Sequence, residues 1–92
     1  MGLAIASATV AENGSLMGAQ NIANCEHKEK GMYIVHYADG FAAASGAQAT
    51  PWGAGHTIGL NIMAENLCEV LVTDVHGNSS DGGFSFVALG SS

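Results

Sequence analysis

Four histidines (His27, His36, His56, His76), two cysteines (Cys25, Cys68), the polar trio Asp74, Asn78 and Asp81, and a single tryptophan, Trp52, are the side chains with which this 92-residue chain could do chemistry. A protein metal site needs two or three histidines or thiolates converging with a carboxylate. No two of these histidines lie two or four positions apart, so no single element presents a pair. Asp74 and His76, at i and i+2 on one strand face, are a possible pair, although ordinary surface or interface histidines fit the spacing better. In a three-fold assembly, one histidine per chain near the axis would become three. Asp74, Asn78 and Asp81 could offer oxygens to calcium, but the EF-hand spacing and its closing Glu are missing, and these residue types favour turns on their own account. Gly53-Ala54-Gly55-His56-Thr57-Ile58-Gly59 is one residue too long for a dinucleotide loop and precedes a strand pattern rather than a helix. Ser15, Ser45, Ser79 and Ser80 lack the nucleophile-elbow context. Neither a metal, nor another cofactor, nor a catalytic role is therefore expected. Trp52 is different. It stands in a Pro/Gly loop, off any alternating face, where an indole can stack on a sugar, anchor an interface, or cap one end of a core.

The elements that must position these side chains have period two. Leu3 to Val10 reads as a strand, and Asn13-Gly14 is a strong hairpin-turn dipeptide. Ser15 to Gly18 is short and could pair back. Asn21 to Glu26 forms a second strand with Ile22 inward. His27 to Gly31 is the charge cluster and reads as an exposed turn. Met32 to Ala38 is the clearest strand, with Tyr33, Val35 and Tyr37 on one face. Phe41 to Ala49 reads as an Ala-rich crossing segment leading into a short strand at Ala47 to Thr50. His56 to Met63 places Ile58, Leu60 and Ile62 on one face, and Leu67 to Asp74 places Cys68, Val70 and Val72 on one face. After a polar loop, Phe84, Phe86 and Ala88 alternate with Ser85, Val87 and Leu89. About seven short strands, with turns every 8–12 residues, predict a single all-β domain over residues 1–92, a small antiparallel β-sandwich. Cys25 and Cys68 pair only if their strands are neighbours; two small buried thiols are the plainer reading.

Size and charge narrow the function classes. Fifteen alanines and thirteen glycines leave few large apolar side chains, so one copy alone buries a thin core. Both faces of the last strand are mostly apolar, which predicts a covering partner. Eight acidic residues against two basic ones, Lys28 and Lys30, give a net charge of −6. That disfavours nucleic acid and anionic membranes as partners. No apolar run reaches the roughly 18 residues of a membrane span. Met1 to Ala8 resembles a short signal h-region but lacks a basic start, and its alternation fits a first strand better.

Gly31-Met32-Tyr33-Ile34-Val35-His36-Tyr37, then Phe41, then Ala49-Thr50-Pro51, then Gly77, then Asp81-Gly82-Gly83-Phe84-Ser85-Phe86-Val87-Ala88-Leu89-Gly90 resembles the C-terminal modules of bacteriophage and prophage tail fibres. Ala8-Thr9-Val10, Asn13-Gly14 and Asn21-Ile22 match the lead-in of such modules. The sandwich organisation is also similar to that of H-type lectins. The resemblance implies a homotrimer in a virion or extracellular setting that attaches to a host through cell-surface carbohydrate. The loops Asp39-Gly40, Pro51 to His56 and His76 to Gly83 would then gather at one end, with Asp39, Trp52, His56, His76, Asn78 and Asp81 as ligand-binding residues. A purely structural trimerisation or capping domain is the alternative, and a metal-dependent hydrolase a more distant one.

Overall fold

The computed structural model describes residues 3–52, 54–64 and 66–91, with the side chains of 43–45 and 62–64 excepted. The expected inward placement of Ile62, and Gly53 and Glu65 of their loops, lie outside the described residues. Eight strands form: β1 (Leu3–Val10), β2 (Leu16–Gln20), β3 (Ile22–Glu29), β4 (Met32–Tyr37), β5 (Ala42–Pro51), β6 (His56–Ala64), β7 (Leu67–Asp74) and β8 (Phe84–Ser91). They pair antiparallel into two four-stranded sheets, β2-β1-β8-β5 and β3-β4-β7-β6. The all-β antiparallel sandwich expected from the alternation is the observed architecture.

The alanines have a packing role. In the β1 sheet, Phe86 lies between Ala8 and Ala49, and Ala88 lies between Ala6 and Ala47. Small neighbours on each side leave room for a phenyl ring to stand up from the sheet into the core. Tyr33 meets Phe84 edge-on at 5.2 Å, and Tyr37 lies 5.1 Å from Phe41 and 6.2 Å from Phe86. Tyr33, Phe84 and Phe86 are fully buried together with Val10, Val35, Val70, Val72 and Cys68. Truncating one such ring costs about 3–5 kcal/mol, because the surroundings collapse only partly.

Three segments differ from the sequence reading. The charge cluster His27 to Gly31 is not an exposed turn: β3 runs to Glu29, and only Lys30-Gly31 turns, with Glu29 opposite Met32. β3 is an edge strand, so its charged side chains reach water without disturbing the ladder. The Ala-rich stretch is strand from Ala42 onward, pairing with β8 through a bulge between Ala43 and Gly46. Leu16 to Gln20 pairs back on β1 as a full strand. This last change raises about seven strands to eight. The chain passes from β2 to β3 at Asn21, whose φ of 58° is one a short amide side chain tolerates. The Asn21 amide is fixed by donating to the Ile5 carbonyl at 2.9 Å.

Candidate functional site

Strand direction decides which loops meet. One end carries the β1–β2 turn, Lys30-Gly31, the loop after β5, and the long loop from Val75 to Gly83. The other end carries Asn21, Asp39-Gly40, and the turn between β6 and β7. Along β7 the two ends are about 24 Å apart at strand rise. His56 pairs with Asp74 at the first end, whereas Leu67 pairs with His36 at the second. The structure therefore gathers Trp52, His56, His76, Asn78 and Asp81 at one end and separates Asp39 from them. The expected single-ended cluster of six is corrected to five.

The long loop is held by its own carboxylates. Asp74 accepts from the backbone N–H of His76 at 2.8 Å and of Asn78 at 3.1 Å, closing a tight turn at the tip. Asp81 accepts from the Gly31 N–H at 2.7 Å and faces His27 Nε2 at 2.9 Å. The Gly31 hydrogen bond, with His27 and Lys30 adding, holds the Asp81 carboxyl below its ordinary range. The His27 ring stacks on Tyr33, with centroids 4.6 Å apart and planes 11° from parallel. The Tyr33 hydroxyl donates to the Glu12 carbonyl and accepts from the Gly82 N–H at 3.3 Å. Tyr33 and Asp81 thereby tie the β1–β2 turn, the β3–β4 turn and the long loop into one braced end.

On that brace sit two rings. The backbone N–H of Trp52 donates to the Gly83 carbonyl at 3.1 Å. Its indole lies so closely over Gly83 that a Cβ there would collide with the ring. His56 lies against Gly82, where a Cβ would just touch the imidazole at 3.4 Å. Two adjacent glycines thus make a seat for an indole and an imidazole. Trp52 keeps 43% of its surface exposed. His76 and Asn78 are exposed on the same loop. The arrangement offers an apolar ring at a fixed height beside the His56 imidazole, with His76 and Asn78 at the same end, chemistry able to stack on a polar ring such as a sugar.

The loop carboxylates of the calcium candidate are engaged with backbone N–H groups. Among the described residues, no three His, Cys, Asp or Glu side chains stand together to hold a metal ion. His56 Nε2 and Ser80 Oγ are 3.4 Å apart, longer than the roughly 2.6–3.2 Å of an activated pair. Cys25 and Cys68 flank Val35 from the two neighbouring strands, on the same face of one sheet. Two strand spacings, about 9.6 Å, exceed the roughly 7 Å that a disulfide can span. Both are free thiols, each pushed up to about 11 by burial.

Sequence reasoning missed the Gly82-Gly83 seat, which it read only as turn residues, and the bracing role of Tyr33 and His27. It also missed a polar recess of about 380 Å³ between the edges of β2 and β3, lined by Asn13, Ser15 and Asn24 beside Cys25. No family model, curated protein or solved structure matches the chain.

Proposed function

We propose that the chain is a receptor-binding or adhesion module of the phage-tail-fibre type, working as a homotrimer in a virion or extracellular setting and recognising cell-surface carbohydrate. The observation that carries this reading is the half-exposed indole of Trp52, fixed on Gly83 at the braced end of the sandwich. Fixing the ring beforehand removes the entropy cost of ordering it on binding. Trp52 is the stacking platform, and His56, His76 and Asn78 supply hydrogen bonds. Asp81 acts by bracing the loop, and Asp39 has no part at this end. Leu3 pairs with Ser91 at the far end, so the Trp52 end points away from both.

The internal engagement of Asp74 and Asp81 favours the second reading, a structural capping domain without a ligand. A glycan array read with wild type and Trp52→Ala separates the two. Trp52 is the only tryptophan, so its emission reports this site alone. Binding that shifts this emission, with at least about a tenfold loss of affinity in Trp52→Ala, supports the receptor-binding reading. Silence across the array with an unchanged emission spectrum would leave the capping reading standing.

A further inference from the structure

The two sheets differ completely in charge. β1, β2, β5 and β8 contain no Asp, Glu, Lys, Arg or His. The strands of the other sheet carry Glu26, His27, Lys28, Glu29, His36, His56, Glu69 and Asp74. The charge-free sheet also bears most of the large apolar side chains left in water. On its outer face Ile5 stands opposite Leu89, Val87 stands opposite Ser7, and Leu3 stands opposite Ser91. Leu3 is 79% exposed, Ile5 47%, Val87 45% and Leu89 40%. Beside them, at the β5 bulge, Gly46, Ala47 and Gln48 line a hollow of about 280 Å³ with Val87 and Leu89. Toward the Trp52 end the same face turns to hydroxyls: Thr9, Ser85 and Thr50 form its last outward row.

We infer that this outer face of the β2-β1-β8-β5 sheet is the surface through which copies of the chain assemble, turned toward a common three-fold axis. The inference rests on the homotrimeric reading above and locates its interface. Charge selects the occupant. A nucleic acid, an anionic membrane or a strongly charged protein finds no countercharge on this face. Another copy brings an equally uncharged face, and each copy carries a net charge of −6. Packing these faces together keeps the acidic sheets outward, where repulsion between copies is least. Size agrees. Four strands of up to eight to ten residues cover about 27 by 19 Å, or roughly 500 Å² in projection. Two copies would cover about 1,000 Å², the lower limit for a specific interface, and three copies around an axis cover more. The hollow at the bulge receives an apolar side chain from the neighbour. Such an arrangement leaves the Trp52 end of every copy open.

Light scattering coupled to gel filtration tests this on wild type, Val87→Lys, Leu89→Lys and, on the other sheet, Lys28→Glu. Wild type and Lys28→Glu should run at three times the 9.3 kDa chain mass. The two lysine variants should run at the mass of one chain, with unchanged far-ultraviolet circular dichroism. Should either lysine variant unfold, the milder Leu89→Ser reads the same equilibrium and should weaken association by at least about tenfold. A wild-type mass of one chain overturns the homotrimeric reading itself. A wild-type trimer that persists at unchanged affinity through Val87→Lys, Leu89→Lys and Leu89→Ser overturns only the location of the interface. A wild-type mass of two chains that the lysines abolish keeps the face and overturns the three-fold axis.

Discussion

Tyr33 and Tyr37 share the inner face of β4, yet their hydroxyls have opposite surroundings. The Tyr33 hydroxyl joins two loops through Glu12 and Gly82. The Tyr37 hydroxyl is buried and has no hydrogen-bond partner among the described residues, and burial pushes its phenol up to about 12. Removing an unsatisfied polar atom relieves its desolvation, whereas removing a shared one leaves partners exposed to nothing. Tyr37→Phe should therefore be neutral or stabilising, and Tyr33→Phe should lose about 1–3 kcal/mol. Urea midpoints of the two variants decide it, and a larger loss in Tyr37→Phe would sink the account. Asp81 supplies a second residue-scale prediction, in pH. Its folded pKa lies below the ordinary 3.8, chiefly because of the Gly31 N–H and then His27. A depressed carboxyl stabilises the fold above its unfolded value and loses that contribution as pH falls through the lower folded value. Wild type should thus lose stability below about pH 4 more steeply than Asp81→Asn. Parallel slopes in urea titrations between pH 2 and 6 would remove Asp81 from the acid response.

At the scale of elements, the β3–β4 hairpin shows how a two-residue turn is fixed by what packs beneath it. Gly31 has φ 74°, and a Cβ there would meet the Val72 carbonyl oxygen at 2.6 Å and the Ser80 nitrogen at 2.9 Å. Gly40 has φ 89° with open space around it. Alanine at position 40 meets only the left-handed penalty, about 1–2 kcal/mol. Alanine at position 31 adds a backbone collision that also disturbs the Asp81 brace, so its loss should be clearly larger. Equal losses in thermal unfolding would mean that the hairpin does not depend on this close approach. The same elements show what the sequence made legible. β1, β7 and β8 were readable to within a residue or two because large and small, or apolar and polar, side chains alternate along most of their length between clear turn signals. β5 was not, because Ala and Gly carry little pattern. Its strand state is imposed by pairing with β8 and by the room that Phe86 needs. The last residues of β3 were misread because charge at a sheet edge looks like a loop. The site was legible in its residue types, Trp52 and the loop histidines, but not in its ends. Which loops share an end depends on counting strands correctly, and the braces arise from contacts between residues about fifty positions apart, such as Gly31 with Asp81.

The whole molecule is closed by its last strand. β8 lies inside its sheet, with β1 on one side and β5 on the other. It therefore joins the first strand of the chain to a strand more than thirty residues upstream of it. It also supplies Phe84, Phe86 and Ala88 to the core, all at 1% exposure or less. A chain ending at Gly83 would leave the facing edges of β1 and β5 unpaired and a cavity where two phenyl rings stood. Each lost ring alone costs about 3–5 kcal/mol, and a domain of this size has only about 5–15 kcal/mol of stability in total. The shortened chain should therefore show no cooperative urea transition and no strand signal in far-ultraviolet circular dichroism. In the folded chain β8 fills a strand-shaped slot, paired with β1 and β5 and flanked by their alanines, so a separate peptide can complete the fold as it forms. Adding a peptide of residues 84–92 should restore the transition in a concentration-dependent way. The same peptide with Phe86→Asp should not, because a buried carboxylate would take the place of the ring between Ala8 and Ala49. A cooperative transition in the shortened chain alone would show that β8 decorates a sandwich already formed, and the order β2-β1-β8-β5 would then not be what holds the first sheet together.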